Sequence, residues 1–208
     1  MDSKKVVCFD IGGTFVKYGV LDYEGNILAK GSFKSNTDNG QEILDNMCGV
    51  IEKYKKIFKI DGISISSPGF IDVENGVITT GTIINGFIGL NMKEYFGNKF
   101  GLPVVIDNDA NCATIAEHKL GNGKGCKNLV CVTIGTGIGG GIIINNEIYN
   151  GSRFMAGEFG FMFINGTKRQ NPDHYIYSNY ASTRALVEKA NKKLNEEVDG
   201  KQIFERAE

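Results

Sequence analysis

The stretch that decides the fold is residues 128–151, NLVCVTIGTGIGGGIIINNEIYNG. An apolar run, Leu129–Ile134, leads through a glycine-rich turn, Gly135–Gly141, into Ile142–Ile144, and a second turn follows at Asn145–Asn146. Short β-branched runs bounded by Gly and Asn predict strands joined by tight turns. Because glycine lets the backbone approach a ligand closely, such a turn is suited to binding phosphate.

Other interpretations of this stretch have different requirements. Gly135, Gly137 and Gly140 fit the dinucleotide fingerprint G-x-G-x-x-G, which requires a helix directly after the glycines. The three isoleucines that follow favour a strand instead, so the dinucleotide interpretation is disfavoured. The sequence contains no P-loop of the form G-x-x-x-x-G-K-[ST]. A plain hairpin with a flexible turn remains open from this stretch alone.

The same pattern occurs a second time, at the start of the chain. Val6–Thr14 aligns without gaps on Leu129–Gly137. The first copy continues through Phe15–Asp22 and Ile27–Phe33, so each copy predicts strand, turn, strand, turn, strand. A repeated unit of this size indicates two related lobes, and their two glycine turns would hold the phosphates of a nucleotide from both sides.

The first glycine turn is flanked by side chains suited to a phosphate and its metal ion. Asp10 precedes the turn, and Mg²⁺ prefers carboxylate, water and phosphate oxygens. Thr14 supplies a hydroxyl group and Lys17 supplies a cation. Asp10 as an ordinary turn residue and Lys17 as an ordinary exposed lysine are the simpler interpretation, which the duplication disfavours.

Composition excludes several classes of protein. The 208 residues allow one large domain or two small ones, and the formal net charge of −1 gives no basic face for nucleic acid. No apolar run approaches the length of a membrane span. The five cysteines are an odd number without C-x-x-C spacing, which predicts reduced, buried thiols in a cytoplasmic protein.

Helix and strand patterns alternate along the first half of the chain, which predicts an α/β fold. Apolar spacing predicts a helix over Asp38–Phe58 with Asp38 or Asn39 as its N-cap, and then a strand over Ile60–Ser67. This strand ends at the turn Pro68–Gly69. Ligands of α/β sheets bind beyond such strand ends, although a plain turn is the simpler interpretation of this dipeptide.

A second helix–strand pair precedes the cluster of polar residues that is best suited to catalysis. A helix over Met92–Phe100 and a buried strand over Val104–Ile106 are followed by DNDAN, residues 107–111, and by a helix over Ala110–Leu120. A carboxylate at this strand end can accept the proton of a sugar hydroxyl. Because Asp and Asn are also favoured N-caps, one of the two aspartates is expected to cap the helix and the other to act as base. His118, in the last helical turn, is interpreted as structural.

The last third of the chain is less regular. Glu158 lies between two glycines, so it is either a hydroxyl-binding group or a solvated loop residue. Asn165–Ser178 is predicted to be a polar loop, and His174 has no second ligand at metal-binding spacing. Ser182 is predicted to cap a helix over Thr183–Leu194. The helix that opens at Gln202–Ala207 is too short to be stable alone, which favours a chain that is a fragment.

Several of these motifs together resemble the ROK family of sugar kinases and sugar-responsive repressors. They are DIGGTFVKYGVLD, the Pro68–Gly69 turn, GLPVVIDNDANCATIAEHKLG, TIGTGIGGGIII and NGSRFMAGEFG, and they extend over nearly the whole chain. The resemblance implies a two-lobed, actin-like (ribonuclease H-like) ATPase fold of duplicated βββαβα units, with the second lobe incomplete. The lobes are expected at residues 1–118 and 119–208.

The resemblance also implies the ligands and the residues that bind them. ATP and Mg²⁺ would lie between the lobes, the sugar would be the small-molecule partner, and the full-length protein would form a homodimer. Asp109 would be the general base, and the sugar would contact Gly69, Asn108, Asp109 and Glu158. The phosphates would contact the two turns, with Asp10 holding Mg²⁺ directly or through water. The residues assigned to phosphate are Asp10, Gly12, Gly13, Thr14, Lys17, Gly135, Thr136, Gly137 and Gly139.

The sequence departs from the family pattern at three places. Phe161 stands where the family has a histidine that binds zinc and sugar, and Asn165–Tyr177 lacks the cysteines of the family's zinc motif. Ser178 stands where the family has a sugar-binding glutamate. We therefore expect no zinc, and a sugar pocket with fewer polar contacts than that of common glucokinases. Some zinc-less members resemble kinases of glucosides.

The expected activity is in-line phosphoryl transfer from ATP to a sugar hydroxyl. A transcriptional regulator of the same family is the first alternative, disfavoured because the first strand begins near Lys5 and leaves no room for a preceding DNA-binding domain. A sugar sensor without kinase turnover is the second alternative, motivated by Phe161 and Ser178.

Overall fold

The fold is described by a computed structural model that covers residues 4–164 and 175–207. The strands are β1 (Lys5–Ile11), β2 (Phe15–Asp22), β3 (Ile27–Lys34), β4 (Gly62–Ser67), β5 (Phe70–Asp72), β6 (Val77–Thr80), β7 (Val104–Asn108), β8 (Leu129–Ile134), β9 (Ile138–Ile144) and β10 (Glu147–Ile148). The helices are α1 (Gly40–Lys55), α2 (Met92–Phe100), α3 (Asp109–Lys119), α4 (Tyr177–Ala181), α5 (Thr183–Leu194) and α6 (Gly200–Glu205).

Contacts group the chain into two compact units, Met1–Cys112 and Ala113–Glu208. The change from one unit to the other falls within helix α3. The lobe boundary expected after residue 118 also falls within α3, and it stays a prediction.

The first unit is built on a five-stranded sheet in the order β3-β2-β1-β4-β7. Strands β1, β2 and β3 form antiparallel hairpins, whereas β1, β4 and β7 are parallel. Alternate residues of β1 are buried, namely Val7, Phe9 and Ile11, and they share one core with the apolar face of α1. The other face of β1 carries Cys8 and Asp10.

Local sequence signals set most element ends in this unit. The predicted strand Phe15–Asp22 and helix Met92–Phe100 are confirmed, and Gly101 ends the helix in the left-handed conformation. Asn39 caps α1 by accepting the N–H of Glu42. Helix α1 ends at Lys55, before the predicted end at Phe58, because the N–H of Lys56 turns back to the carbonyl of Lys53.

Strand β7 differs from the prediction in length and in burial. It continues two residues beyond Ile106, to Asn108, and Val105 is 58% exposed. The expectation of a buried strand was wrong at Val105, because β7 is the last strand in the sheet order and its side chains alternate between two faces. Only Val104 and Ile106 face the core.

The second unit contains the other copy of the repeated pattern. Strands β8, β9 and β10 form an antiparallel sheet in the order β10-β9-β8. Asn145 and Asn146 form the second turn with positive φ of 52° and 69°, which is typical of a two-residue hairpin turn. The strand–turn–strand–turn–strand order predicted for both copies is confirmed.

The glycine turn of the second unit is shorter than predicted. Only residues 135–137 connect β8 to β9, whereas Gly139, Gly140 and Gly141 pair with β8 inside the sheet. The prediction of a turn through Gly141 was wrong because these three glycines pair with β8, and Gly140 in addition has no space for a side chain. A Cβ atom at Gly140 would overlap the ring of Phe159 and the carbonyl oxygen of Cys131.

Replacing Gly140 by Ala is expected to lower the free energy of unfolding by about 1–3 kcal/mol, because one of the overlapping groups is backbone and cannot move aside. Chemical denaturation of the purified protein measures this change. Gly135→Ala, in the neighbouring turn, is the control, since a Cβ there meets no atom within 4 Å. Equal midpoints for the two variants would contradict the packing role of Gly140.

The helices of the second unit confirm one prediction and correct two. Ser182 caps α5 by accepting the N–H of Ala185, as predicted. Tyr177 and Ser178 belong to helix α4 and not to a polar loop, whereas Asn165–His174 of that predicted loop lies outside the described residues. Helix α6 begins at Gly200, two residues earlier than predicted, because Asp199 and Gln202 form a capping box.

The cysteines are less buried than the sequence suggested. Cys48 is buried, Cys8, Cys112 and Cys131 are half-buried, and Cys126 is exposed. Within the described part of the chain, no helix combines the length and the apolar character that crossing a bilayer requires.

Candidate functional site

A row of polar residues crosses the sheet of the first unit at the carboxyl ends of its parallel strands. Asp10 of β1 pairs with Lys17 of β2 and with Ser66 of β4, and Ser66 pairs in turn with Asp107 of β7. Side chains of directly paired residues lie on the same face, about 4.8 Å apart from strand to strand. Carboxyl ends of parallel strands are where α/β sheets bind ligands.

Asp10 is held from both sides of this row. Its Oδ1 accepts a hydrogen bond from Ser66 Oγ at 3.0 Å, and its Oδ2 lies 3.9 Å from Lys17 Nζ. The Asp10 side chain is 54% exposed and that of Lys17 is 74% exposed. An ion pair this exposed adds little to stability, so the cation of Lys17 remains available to an incoming phosphate.

The donor set fits Mg²⁺ held by one carboxylate and by groups of the substrate. Mg²⁺ commonly binds through one or two carboxylates together with phosphates and water. No group of three or more His, Cys, Asp or Glu side chains within residues 4–164 and 175–207 is arranged to hold a metal ion by itself. Asp10 is an accessible oxygen ligand of the kind that Mg²⁺ prefers, and the expectation of no zinc stays a prediction.

Asp10, Lys17, Ser66 and Cys112 line one cavity of about 320 Å³ in the first unit. Burial, followed by the negative charge of Asp107, raises the pKa of the Cys112 thiol to about 12. The thiol is therefore protonated near neutral pH and is a poor nucleophile. We conclude that the chemistry of this cavity resides in the Asp10 carboxylate and in its two lysines, Lys17 and Lys30.

The end of β7 and the start of α3 are joined by the side chain of Asn108. Its amide oxygen accepts the N–H groups of Ala110 at 2.8 Å and of Asn111 at 3.3 Å, and its amide nitrogen donates to the carbonyl of Gly69 at 3.0 Å. Asn108 is therefore the N-cap of α3, and the expectation that one of the aspartates caps this helix was wrong. The helix accordingly begins at Asp109, one residue before the predicted start.

Asp107 also has a structural role at this junction. Its Oδ1 accepts the backbone N–H of Asn108 at 2.7 Å and the side-chain amide of Asn111 at 2.9 Å. Burial raises the pKa of the Asp107 carboxyl, and these two hydrogen bonds oppose the rise. Asp107 thus ties the last strand to the first turn of α3.

Asp109 is the first residue of α3 and has the environment of a proton acceptor. Burial is the main cause that raises its pKa, the negative charge of Asp10 adds to the rise, and the N–H of Ala110 at 2.8 Å opposes it. The Asn108 side chain also hydrogen bonds to this carboxylate. A carboxylate with a raised pKa is a stronger base, and its orientation is fixed here by the helix start.

The Asp109→Asn variant is expected to be more stable than the wild type at pH 7, by about 0.5–2 kcal/mol, because a buried charge is removed. Since the folded-state pKa of Asp109 is raised, wild-type stability falls as pH rises from about 3.9 through that pKa. The extra stability of Asp109→Asn is therefore fully present above the folded-state pKa of Asp109 and absent below about pH 3.9. Denaturation midpoints of both proteins from about pH 4 to pH 8 measure it, and a gain that did not change with pH would contradict the assignment.

Gly69 is required by the shape of its turn. Its φ is +111°, and a Cβ atom there would lie 2.7 Å from the carbonyl oxygen of Thr80. Its own carbonyl receives the Asn108 amide, so the turn after β4 and the start of α3 are held together. The structure therefore brings Gly69, Asn108 and Asp109 into one hydrogen-bonded group.

The two glycine turns have the same hairpin position in their own units. In the first unit, Gly13 and Thr14 are exposed at the tip, and the N–H of Gly12 closes the turn to the carbonyl of Phe15. In the second unit, Gly135, Thr136 and Gly137 are exposed. Gly139 lies in β9 opposite Thr133, outside this turn, and its phosphate contact stays a prediction.

Glu158 and Phe161 lie at the ends of one short turn in the second unit. Glu158 is half-buried, follows Gly157 at φ +83°, and precedes the 3₁₀ turn Phe159–Phe161. Phe161 is 56% exposed. The sugar contact of Glu158 stays a prediction.

Ser178 and His118 have structural partners. Ser178 Oγ accepts the N–H of Ile138 at 2.9 Å and donates to its carbonyl at 3.3 Å, so it supports the start of β9. His118 is buried, and its Nε2 lies 2.9 Å from the carbonyl oxygen of Cys126. The structural interpretation of His118 therefore agrees with its contacts.

Ser66 is the member of the polar row to which sequence reasoning gave no role. The alternation Ile63-Ser64-Ile65-Ser66 places both serines on one face of a strand, which is a usable signal. It does not tell which serine lies beside Asp10, because that depends on the register between β1 and β4.

Comparisons with known proteins identify the family of this chain and several of its relatives. The model of the ROK family matches residues 6–208. A β-glucoside kinase from Listeria monocytogenes is 39% identical in an alignment 209 residues long, which covers 96% of this chain and 68% of that protein. This chain therefore spans about two thirds of the length of that relative.

Two solved structures are similar to this chain in both sequence and fold. The Lmo2764 protein from Listeria monocytogenes is 37% identical, with a TM-score of 0.89 over 98% of this chain and 70% of that chain. A ROK family glucokinase from Streptomyces griseus, in complex with glucose and AMPPNP, is 29% identical, with a TM-score of 0.81 over the same shares of the two chains.

Proposed function

Because the chain belongs to the ROK family, we propose that it is an ATP-dependent sugar kinase that phosphorylates a hydroxyl group of a hexose or hexose derivative. The single observation that carries this proposal is the position of Asp109. Its carboxylate has a raised pKa, is oriented by the start of α3, and is hydrogen bonded to the residue that contacts Gly69. A kinase needs such a base near the hydroxyl that attacks the phosphoryl group.

In this proposal, Asp109 accepts the proton of the sugar hydroxyl as the bond to phosphorus forms. Gly69 and Asn108 fix the position of the sugar relative to Asp109, and Glu158 binds further hydroxyl groups. Correct placement is a large part of the effect, because phosphoryl transfer depends mainly on positioning and on stabilising charge.

The phosphates of ATP are assigned to the two glycine turns. Residues Gly12, Gly13 and Thr14 of the first turn are accompanied by the cation of Lys17. The second turn contributes Gly135, Thr136 and Gly137, and Gly139, at the start of β9, is assigned to the phosphates as well. Asp10 would hold Mg²⁺, which supplies positive charge to the phosphate oxygens when it is bound.

A sugar-binding protein without turnover is the second candidate. It is favoured by Ser178, whose hydroxyl group is engaged by the backbone of Ile138, and by the exposed aromatic ring of Phe161. Both residues stand at positions for which the sequence resemblance implied sugar contacts. The homodimer, the cytoplasmic location and the absence of zinc stay predictions under either candidate.

A coupled assay of ADP release by the full-length protein tests the proposal. Hexoses, glucosides and N-acylhexosamines are supplied one at a time with ATP and Mg²⁺, and ATP hydrolysis without sugar is the background. Release that depends on one class of sugar supports the kinase. Sugar binding by calorimetry together with background release for every sugar would favour the second candidate.

A further inference from the structure

Strand β4 places a hydroxyl group directly beside the carboxylate assigned to the cation. Ser66 pairs with Asp10 on one side and with Asp107 on the other, and its Oγ donates to Asp10 Oδ1 at 3.0 Å. We infer that Ser66 is a positioning residue, which orients Asp10 for the divalent cation that accompanies ATP. The inference rests on the proposed function, because it concerns the same site.

Asp10 needs such a partner because its side chain is largely exposed. The contact with Lys17 is 3.9 Å long and joins two exposed groups, so it restricts the carboxylate weakly. The bond from Ser66 is the shorter of the two contacts, and it engages Oδ1 only. With Oδ1 held, Oδ2 is the oxygen left for a divalent cation, and the exposed ammonium of Lys17, 3.9 Å away, restrains it weakly.

The position of Ser66 is itself fixed by the sheet. Strand β4 is hydrogen bonded to β1 on one side and to β7 on the other, so its backbone cannot shift without breaking two parallel ladders. The Ser66 hydroxyl also contacts the thiol of Cys112, which is neutral near pH 7. The hydroxyl is therefore held in place without a competing negative charge from Cys112.

Asp107 is a poorer candidate for the cation than Asp10. Its Oδ1 accepts two hydrogen bonds that hold the start of α3, and its carboxyl is more buried than that of Asp10. Burial disfavours the charged form that a cation requires. Ser66 thus stands between a structural carboxylate and a ligand carboxylate, and it donates to the latter.

The test compares the binding of Mg²⁺·ATP and of ATP in EDTA by the full-length protein, using titration calorimetry. For Ser66→Ala we expect Mg²⁺·ATP to bind about 10–100-fold more weakly, as when a partner of a metal ligand is removed. The affinity for ATP in EDTA should change by less than about twofold, because the lost bond orients a metal ligand and not the nucleotide. Ser66→Thr retains the hydroxyl group and should restore Mg²⁺·ATP binding.

Ser64→Ala is the matched control, because Ser64 lies on the same strand and the same face but pairs with Cys8. It should leave both affinities unchanged, and thermal denaturation should show all three variants folded. Equal affinities of the wild type and Ser66→Ala for Mg²⁺·ATP would overturn the inference while leaving the kinase proposal intact. A wild type that bound neither form of ATP would overturn both.

Discussion

Asp109→Asn in the full-length protein is expected to lower kcat by about 10²–10⁴-fold, the usual contribution of a general base. Asparagine has nearly the same shape and can still accept the N–H of Ala110, so the start of α3 should persist. It cannot accept a proton from the sugar hydroxyl. The dissociation constant of the sugar, measured by calorimetry, should therefore change by less than about threefold.

The control for this variant is Asp45→Asn, on the exposed face of α1, where the side chain accepts a hydrogen bond from Gln41. It removes one negative charge from the same unit without touching the polar row, and its kcat should equal that of the wild type. An Asp109→Asn protein that retained more than about a tenth of the wild-type kcat would remove Asp109 from the role of base.

Asp10→Ala is expected to lower kcat/KM for Mg²⁺·ATP by about 10²–10³-fold, because the charge stabilisation that a bound metal supplies amounts to several kcal/mol. The substitution removes the carboxylate but leaves Ser66 and Lys17 in place, so the sheet should keep its register. Initial rates at increasing Mg²⁺, with ATP fixed, measure the loss.

Saturating Mg²⁺ should not restore the rate of Asp10→Ala if the carboxylate is a ligand. Asp45→Asn again supplies the control for a general change in charge. A kcat/KM within about threefold of the wild-type value would show that the cation is held elsewhere, and the roles assigned to Ser66 and Asp10 would both fail.

Signals that are local in sequence predicted much of the fold. The hairpins, the ends of β2 and α2, and the caps Asn39 and Ser182 follow from alternation, turn residues and capping preferences that involve neighbouring residues only. Family membership and the actin-like α/β fold class, both expected from the motifs, are confirmed by the family match and by the solved structures.

The errors arose where tertiary contacts decide the local structure. Sequence alone does not tell a glycine in a strand from a glycine in a turn. Here the packing of Phe159 on Gly140 is the contact that requires a glycine within the strand. Asn108 and Asp109 are both good N-caps by composition, and the carbonyl of Gly69 selects Asn108 by accepting its amide. Neither contact can be inferred from residues that are neighbours in the sequence.

Tertiary contacts also explain why the polar row was not predicted from the sequence. Ser66 and Asp107 lie far along the chain from the hairpin that carries Asp10 and Lys17, and the register of four strands makes these residues neighbours. A shift of one residue in any of these pairings would send a side chain to the opposite face. The sequence could therefore nominate Asp10 and Lys17 beside the turn, but it could not identify Ser66 as their partner.

The measurement that tests the central claim most directly is ³¹P NMR of the full-length protein mixed with ATP, Mg²⁺ and the sugar that gives the highest rate of ADP release. The account predicts that the γ-phosphate of ATP becomes a sugar phosphomonoester in amounts equal to the ADP formed, and that Asp109→Asn forms almost none. Inorganic phosphate as the main product, or sugar phosphate formed equally well by Asp109→Asn, would contradict it.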